Sequence, residues 1–259
     1  MAYSPFDLSG KVALITGGNG GIGLGMAEAI AAAGADIVIW GTNQDKNSKA
    51  ADILKKYSVQ VLAQQVDVSN EAMIVTSLQQ AVEEMGRVDA VFANAAINSP
   101  VPFLDVSVEG FQRVLDVNLK GAFLTLRESA RHMVERAKQG DAGGSLVVTA
   151  SVAAVEGAAA NQAYAASKGG VISMMKGIAV EFPRYKIRSN AILPGWISTE
   201  MTNAAQGSDV FTDKVISRVP ARRWGEPEDF GGIAVYLTSD ASTFHTGDTF
   251  IIDGGYSIY

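Results

Sequence analysis

The sequence predicts an α/β protein with a single, doubly wound parallel sheet and helices on both of its faces. Three observations lead there. Short β-branched runs alternate with helical stretches along all 259 residues, and a strand–helix–strand unit of this spacing closes as a right-handed crossover between parallel strands. No linker, repeat or low-complexity segment interrupts the alternation, so residues 1–259 read as one domain. A glycine-rich turn joins the first strand to the first helix, where such sheets bind their ligands.

The elements follow in order. KVALIT at 11–16 is a short β-branched run ending in glycines, a buried strand. GIGLGMAEAIAAAG reads as a helix stopped by Gly34. Strand two is ADIVIWG at 35–41, followed by a polar helix over 43–57. Strand three, VQVLAQQVDV, takes 59–68, an amphipathic helix 69–85, and strand four, VDAVFANAA, 88–96. One long helix is expected over about 107–138, strand five (GSLVVTAS) at 144–151, and a helix at about 162–182. Strand six (IRSNAILPG) lies at 187–195 and a last strand (DTFIIDGG) at 248–255. The stretch from about 196 to 222 breaks the rhythm, and Gly207 interrupts its helical pattern. A connection of that length is more often a lid or binding loop than filler, so it reads as a substrate loop.

Composition excludes several classes. With 47% hydrophobic and 19% charged residues the chain is an ordinary globular one. A net charge of −6 leaves no basic footprint, so no nucleic-acid partner is expected. The absence of cysteine removes disulfides, thiolate metal sites and cysteine nucleophiles, and fits a cytoplasmic location. His132 and His245 are the only histidines and stand far apart in sequence, so no metal site is expected. The opening MAYSPFDLSGK lacks a basic stretch followed by an apolar one, which predicts no secretory signal. No apolar run approaches the roughly 18 residues of a membrane span, so no membrane partner is expected.

TGGNGGIG, residues 16–23, follows strand one and opens the first helix. In that setting Gly17, Gly21 and Gly23 allow a tight turn, a close approach to a pyrophosphate, and packing of helix on strand. The helix start adds amide donors and a favourable dipole. The bland alternative is a tight turn with no ligand.

SVAAVEGAAANQAYAASK carries a serine, a tyrosine and a lysine in a segment otherwise made mostly of small residues. Tyr164 and Lys168 are four apart, so on a helix they share a face. Ser151 closes strand five, at the carboxyl edge of the sheet. A phenol titrates near pH 10 and is a poor base at neutral pH. A neighbouring ammonium favours phenolate, so Lys168 is expected to lower the pKa of Tyr164 and make it a usable proton carrier. Ser151 is then placed to hydrogen-bond a substrate oxygen. For an isolated YxxxK, a core tyrosine and a solvated lysine would be the better reading; the strand-end serine and the glycine loop reverse that.

The G-x-x-x-G-x-G loop together with S-x12-Y-x3-K resembles the short-chain dehydrogenase/reductase family, in its compact branch of about 250 residues. The resemblance implies a Rossmann-type fold and reversible hydride transfer between a secondary alcohol and a ketone. It implies Tyr164 as acid/base, Lys168 as ribose ligand, Ser151 as the group orienting the substrate oxygen, and Asn118 of LDVNLKG as holder of a proton-relay water. Asn118 reads equally as a buried, helix-bending asparagine, and the family uses it for both. The resemblance also carries over cofactor contacts: Asn19 and Ile22 in the loop, Asp67 and Val68 beside the adenine, Asn94 and Ala95 of ANAA, and Pro194, Gly195, Ile197 and Thr199 of LPGWISTEM. ANAA departs from the family's NNAG at Ala93 and Ala96. DGG at 253–255 matches the family's C-terminal signature, and homotetramers are the family's usual assembly.

The choice between NAD and NADP lies at the end of strand two, where an acid binds the ribose hydroxyls and an arginine welcomes a 2′-phosphate. Neither is present in IVIWGTNQDK: Trp40 and Gly41 hold the usual acid position, and Thr42 and Asn43 form the turn. A phosphate dianion with no cation is costly to desolvate, which favours NAD, with Lys46 as the counter-argument. Candidate substrate residues are Asn98, Ala153, Glu156, Asn161, Trp196 and Met201. Glu156 and Asn161 suit hydroxyls of a polyol, sugar or sugar acid; Ala153, Trp196 and Met201 suit a cyclic or aryl alcohol. Arg222 and Arg223 would attract a carboxylate, although the family has a structural arginine there. Three rivals remain at this stage: a 3-oxoacyl-type ketoreductase using NADPH, a catalytically idle dinucleotide-binding protein, and a methyltransferase. The second predicts no turnover on any alcohol; the third predicts binding of S-adenosylmethionine.

Overall fold

The computed structural model describes residues 4–259, so the first three residues of the opening segment lie outside the described residues. The strands are β1 (Val12–Thr16), β2 (Asp36–Gly41), β3 (Val61–Gln65), β4 (Ala90–Ala93), β5 (Gly144–Thr149), β6 (Ile187–Pro194) and β7 (Thr249–Ile252). They form one sheet in the order β3-β2-β1-β4-β5-β6-β7, with every neighbouring pair parallel. The order reverses between β1 and β4, which opens a crevice above their carboxyl ends. The helices are α1 (Gly21–Ala32), α2 (Gln44–Leu54), α3 (Glu71–Met85), α4 (Val108–Leu115), α5 (Gly121–Lys138), α6 (Gln162–Glu181), α7 (Asn203–Gln206), α8 (Asp209–Ile216) and α9 (Gly231–Thr238).

Successive strand residues face opposite sides, so each apolar strand feeds two core layers. Ile15, Ile37 and Phe92 pack with Met26 and Ile30 of α1, Leu54 of α2 and Leu237 of α9. Leu14, Val38, Val91 and Leu146 pack with Leu78 of α3, Met133 of α5 and Met175 of α6. Trp40 is fully buried, and its indole N–H needs a partner there. Gln64, its register mate across β2 and β3, accepts at 2.7 Å. Helix starts follow their capping residues: Asn43 accepts from the Lys46 amide at 3.0 Å and Asn70 from Met73 at 3.2 Å.

The long helix expected over 107–138 is not continuous. A π turn over Asp116–Lys120 separates α4 from α5, and the Gly121 amide donates to the Asp116 carbonyl. The cause is Asn118, buried in that turn. It accepts from the Ile97 amide at 2.8 Å and donates to the Ile97 carbonyl at 2.9 Å and to the Ser167 hydroxyl at 3.1 Å. Satisfying both backbone groups of a strand-end segment from inside a helix displaces the helical ladder by one residue. Strands three and four are shorter than expected, which leaves Asp67 and Val68 in the turn beyond β3. The 196–222 segment folds into a 3-10 turn at Glu200–Thr202, α7 and α8, with Gly207 between the two helices.

Candidate active site

Two adjoining cavities run along the carboxyl ends of the strands. The larger, about 810 Å³, is lined by Gly17, Asn19, Gly41, Thr42, Asn43, Asp67 and Val68, among others. The second, about 370 Å³, continues past Gly21, Ile22, Asn94 and Ala95 to Ser151, Tyr164 and Lys168, with Pro194, Gly195, Ile197, Thr199 and Met201 on its other wall. The structure therefore brings nearly every expected cofactor residue to one continuous surface. Gly23 is the exception, because it works beneath that surface. A Cβ there would meet the Gly17 carbonyl at 2.2 Å and the Asn94 amide at 2.7 Å, so its bareness lets the loop fold onto β4. Gly17 and Gly21 have φ of 65° and 51°, the left-handed region that favours glycine.

Thr16 organises the junction. Its hydroxyl accepts from the Asn94 and Ala95 amides at 3.0 and 2.9 Å, and the Asn94 side chain donates to the Thr16 carbonyl at 3.0 Å. Asn19 donates to Asn47 at 2.7 Å, and Asn47 donates to the Gly41 and Gln64 carbonyls. This relay explains the missing acid at the end of β2. A Cβ on Gly41 would lie 2.1 Å from the Asn19 amide nitrogen and 2.5 Å from Asn47 Oδ1. The loop asparagine occupies the space that a side chain would take. With its paired left-handed glycines and a single cleft from Thr42 to Lys168, the surface fits an extended dinucleotide.

Lys168 is buried, and its ammonium donates to the Thr149 carbonyl at 2.6 Å, 5.5 Å from the centre of the Tyr164 ring. Burial lowers this lysine from 10.5 to about 8. Burial raises the Tyr164 phenol above its usual range, while the hydrogen bond from Ser151 acts the other way. Ser151 therefore lowers the phenol against burial, while Lys168 stands beside the Tyr164 ring with its ammonium anchored on Thr149. Ser151 also accepts from the Ala153 amide at 3.1 Å.

Other expected residues sit elsewhere. Asn118 lines neither cavity; its amide is consumed by Ile97 and Ser167, so it acts by holding the segment after β4. Trp196 lines neither cavity and packs edge-on against Phe211, Trp224 and Tyr256, tying α8 to the chain's end. Edge-on contacts to three rings favour that packed position for the indole. Ala153 and Glu156 line neither of these cavities. Asn161 and Tyr164 share a third cavity of about 240 Å³. Arg222 donates to the Ser217 carbonyl, and Arg223 is held by Asp229, so neither lines the cleft. Glu200 escaped notice in the sequence. It lines the second cavity and forms an ion pair with Lys46, 154 residues away, across the cleft. Among the described residues no group of three or more His, Cys, Asp or Glu is placed to hold a metal ion, and no helix is long and apolar enough to cross a membrane.

Residues 17–257 match the family model described as enoyl-(acyl carrier protein) reductase. A 2-dehydro-3-deoxy-D-gluconate 5-dehydrogenase of Formosa agariphila is 33% identical over 257 residues, covering 98% of this chain and 96% of that one. The crystal structure of a gluconate 5-dehydrogenase from Burkholderia cenocepacia, in complex with NADP and tartrate, superposes with a TM-score of 0.93 at 32% identity over 100% of both chains. That of an NAD+-bound xylitol dehydrogenase does so with a TM-score of 0.89 at 32% identity, over 96% of this chain and 99% of that one. The chain belongs to the short-chain dehydrogenase/reductase family. It is an NAD(P)-dependent oxidoreductase acting on CH–OH groups.

Proposed function

We propose that the protein interconverts a polyhydroxylated secondary alcohol, a polyol or sugar acid, and its ketone, with NAD as the preferred cofactor. The observation that carries this is the meeting of Ser151, Tyr164 and Lys168 on the wall that continues the glycine-loop cleft. A nicotinamide cofactor held in this cleft would supply the hydride acceptor for the alcohol or the hydride donor for the ketone. The chain's part is the proton: Tyr164 takes it from the alcohol oxygen during oxidation and gives it to the carbonyl oxygen during reduction. Ser151 holds that oxygen in reach, and Lys168 holds the ribose side of the cofactor. The chemistry of the known relatives supports a hydroxyl-rich substrate.

The NAD preference rests on charge. No arginine follows β2, and Lys46, the cation nearest that turn, is already paired with Glu200. Exposed apolar side chains of Phe103, Leu104, Val108 and Phe123 around α4 and α5 support assembly as a homotetramer; sedimentation of the purified protein tests it. The acidic, cysteine-free chain fits a cytoplasmic enzyme. Fluorescence titration with NADH and NADPH, followed by a panel of secondary alcohols and ketones, tests the main reading. Absence of NAD(P)-linked turnover on every alcohol overturns it.

A further inference from the structure

The glycine loop carries a reactive dipeptide. Asn19 is the only asparagine in the chain followed directly by glycine. In such a pair the glycine nitrogen can close on the asparagine Cγ, because no side chain on the second residue hinders the swing. The loop leaves that route open. Asn19 and Gly20 lie in the turn between β1 and α1, outside any helix or strand, and both are partly exposed. Among the described residues the Gly20 N–H donates to no other group, so no hydrogen bond has to break before its nitrogen attacks. Gly20 also stands directly before the first turn of α1, a helix of 12 residues whose positive end favours the amide anion that attacks.

The fold gives no reason for glycine at this position. Gly20 has a φ of 177°, extended backbone that any residue adopts, unlike the left-handed Gly17 and Gly21. A Cβ added to Gly20 would meet nothing within 4 Å. The consequence of a glycine here is chemical: it keeps Asn19 reactive.

Asn19 is also a residue at which a new charge matters. It lines both cavities of the cleft. Its amide donates to Asn47 Oδ1 at 2.7 Å, and Asn47 cannot turn to meet a carboxylate, because its own amide nitrogen holds the Gly41 and Gln64 carbonyls. A carboxylate at position 19 has no proton to offer Asn47, and it sets a negative charge in a cleft that fits the phosphates of a dinucleotide.

We infer that Asn19 is a self-modification site: in the cofactor-free enzyme it deamidates, and the product no longer holds the dinucleotide. The Gly20 nitrogen forms a bond to Asn19 Cγ, the Cγ–Nδ2 bond breaks, and Nδ2 leaves as ammonia with the Gly20 amide proton. Water then opens the cyclic imide and leaves aspartate or isoaspartate at position 19. A bound dinucleotide covers the loop and restrains its main chain, so the occupied enzyme is spared. The inference rests on the reading of this cleft as a dinucleotide site and adds to it a lifetime set by cofactor occupancy.

The test ages the purified protein in mildly alkaline buffer, with and without saturating NADH. Peptide mass spectrometry reads the amide-to-acid mass increase at Asn19, and fluorescence titration after dialysis reads NADH binding. Without NADH the modified fraction should rise, and the loss of binding sites should follow it one for one. With NADH both should be several-fold slower. Gly20→Ala should keep Asn19 intact several-fold longer than wild type. Asn19→Asp should bind NADH several-fold more weakly, with thermal unfolding as the check on folding. An unmodified Asn19 after ageing, an equal rate under saturating NADH or in Gly20→Ala, or full NADH binding by the modified protein each overturns the inference and leaves the dinucleotide reading standing. Fresh wild-type protein that binds neither NADH nor NADPH overturns that reading itself.

Discussion

The ammonium of Lys168 is buried and lies 2.6 Å from the carbonyl oxygen of Thr149, the last residue of β5. The sheet edge therefore holds the lysine in place beside the phenol of Tyr164. The arrangement has a cost: an ammonium inside the protein is destabilised relative to water, and burial brings its pKa from 10.5 to about 8.

That cost predicts a pH dependence of stability. Below pH 8 both folded and unfolded chains carry the proton, and the folded one bears the full penalty, about 3 kcal/mol. Between pH 8 and 10.5 the unfolded chain keeps a proton that the folded chain has released, so this contribution to stability rises with pH. In Lys168→Met the contribution is absent. Thermal unfolding at pH 7 and pH 10 should show wild type gaining on the variant at the higher pH; a constant difference would mean that Lys168 does not titrate in that window.

Tyr164→Phe should lower kcat by about 10²–10⁴-fold with NADH affinity nearly intact, as loss of a general acid/base does. Ser151→Ala has a subtler signature. Because Ser151 lowers the phenol against the effect of burial, its removal should shift the rise of kcat/KM for alcohol oxidation to higher pH. An unshifted pH profile with a normal limb would dissociate Ser151 from the phenol.

The Lys46–Glu200 pair spans the cleft from α2 to the turn that opens the substrate loop. Glu200→Gln frees the lysine for a 2′-phosphate and should raise the NADP:NAD ratio of kcat/KM several-fold. Lys46→Gln should lower it, and Thr42→Asp should lower it further by placing a carboxylate beside that phosphate. If the ratio is the same in all three variants, cofactor choice is made elsewhere.

Gly41→Asp is the contrasting case. It installs the customary acid, but its Cβ would fall on Asn19 and Asn47. Overpacking of this kind costs about 1–3 kcal/mol. The variant should unfold at lower denaturant and bind NADH more weakly, whereas Thr42→Asp, on an exposed residue, should leave stability close to wild type. Equal midpoints for the two variants would contradict the packing argument.

Asn118→Ala should strip partners from the Ile97 amide and carbonyl and from the Ser167 hydroxyl. With two backbone groups left unpaired in a partly buried region, the loss should be about 2–4 kcal/mol. It is read as a lower midpoint in urea at unchanged slope. KM for the alcohol should rise as well, because the Ile97–Asn98 segment loses its anchor.

The parallel α/β architecture was legible in the chain's own rhythm, because strands buried on both faces and helices buried on one have different periods. The glycine loop and the Ser151, Tyr164 and Lys168 spacing were legible for a related reason: a tight turn, a strand end and one helical face are local geometries, set by residues a few positions apart. The break between α4 and α5 was not, since it depends on Asn118 meeting the Ile97 backbone, 21 residues back. The Lys46–Glu200 pair, the aromatic cluster around Trp196 and the Gly41–Asn19 contact were equally hidden. Each joins residues that no local period relates, and Trp196 reads alike in sequence whether it faces a substrate or three other rings. Even the electrostatics of the catalytic face followed this division: four-residue spacing placed Lys168 beside Tyr164, but burial and the Thr149 carbonyl decided where its charge points.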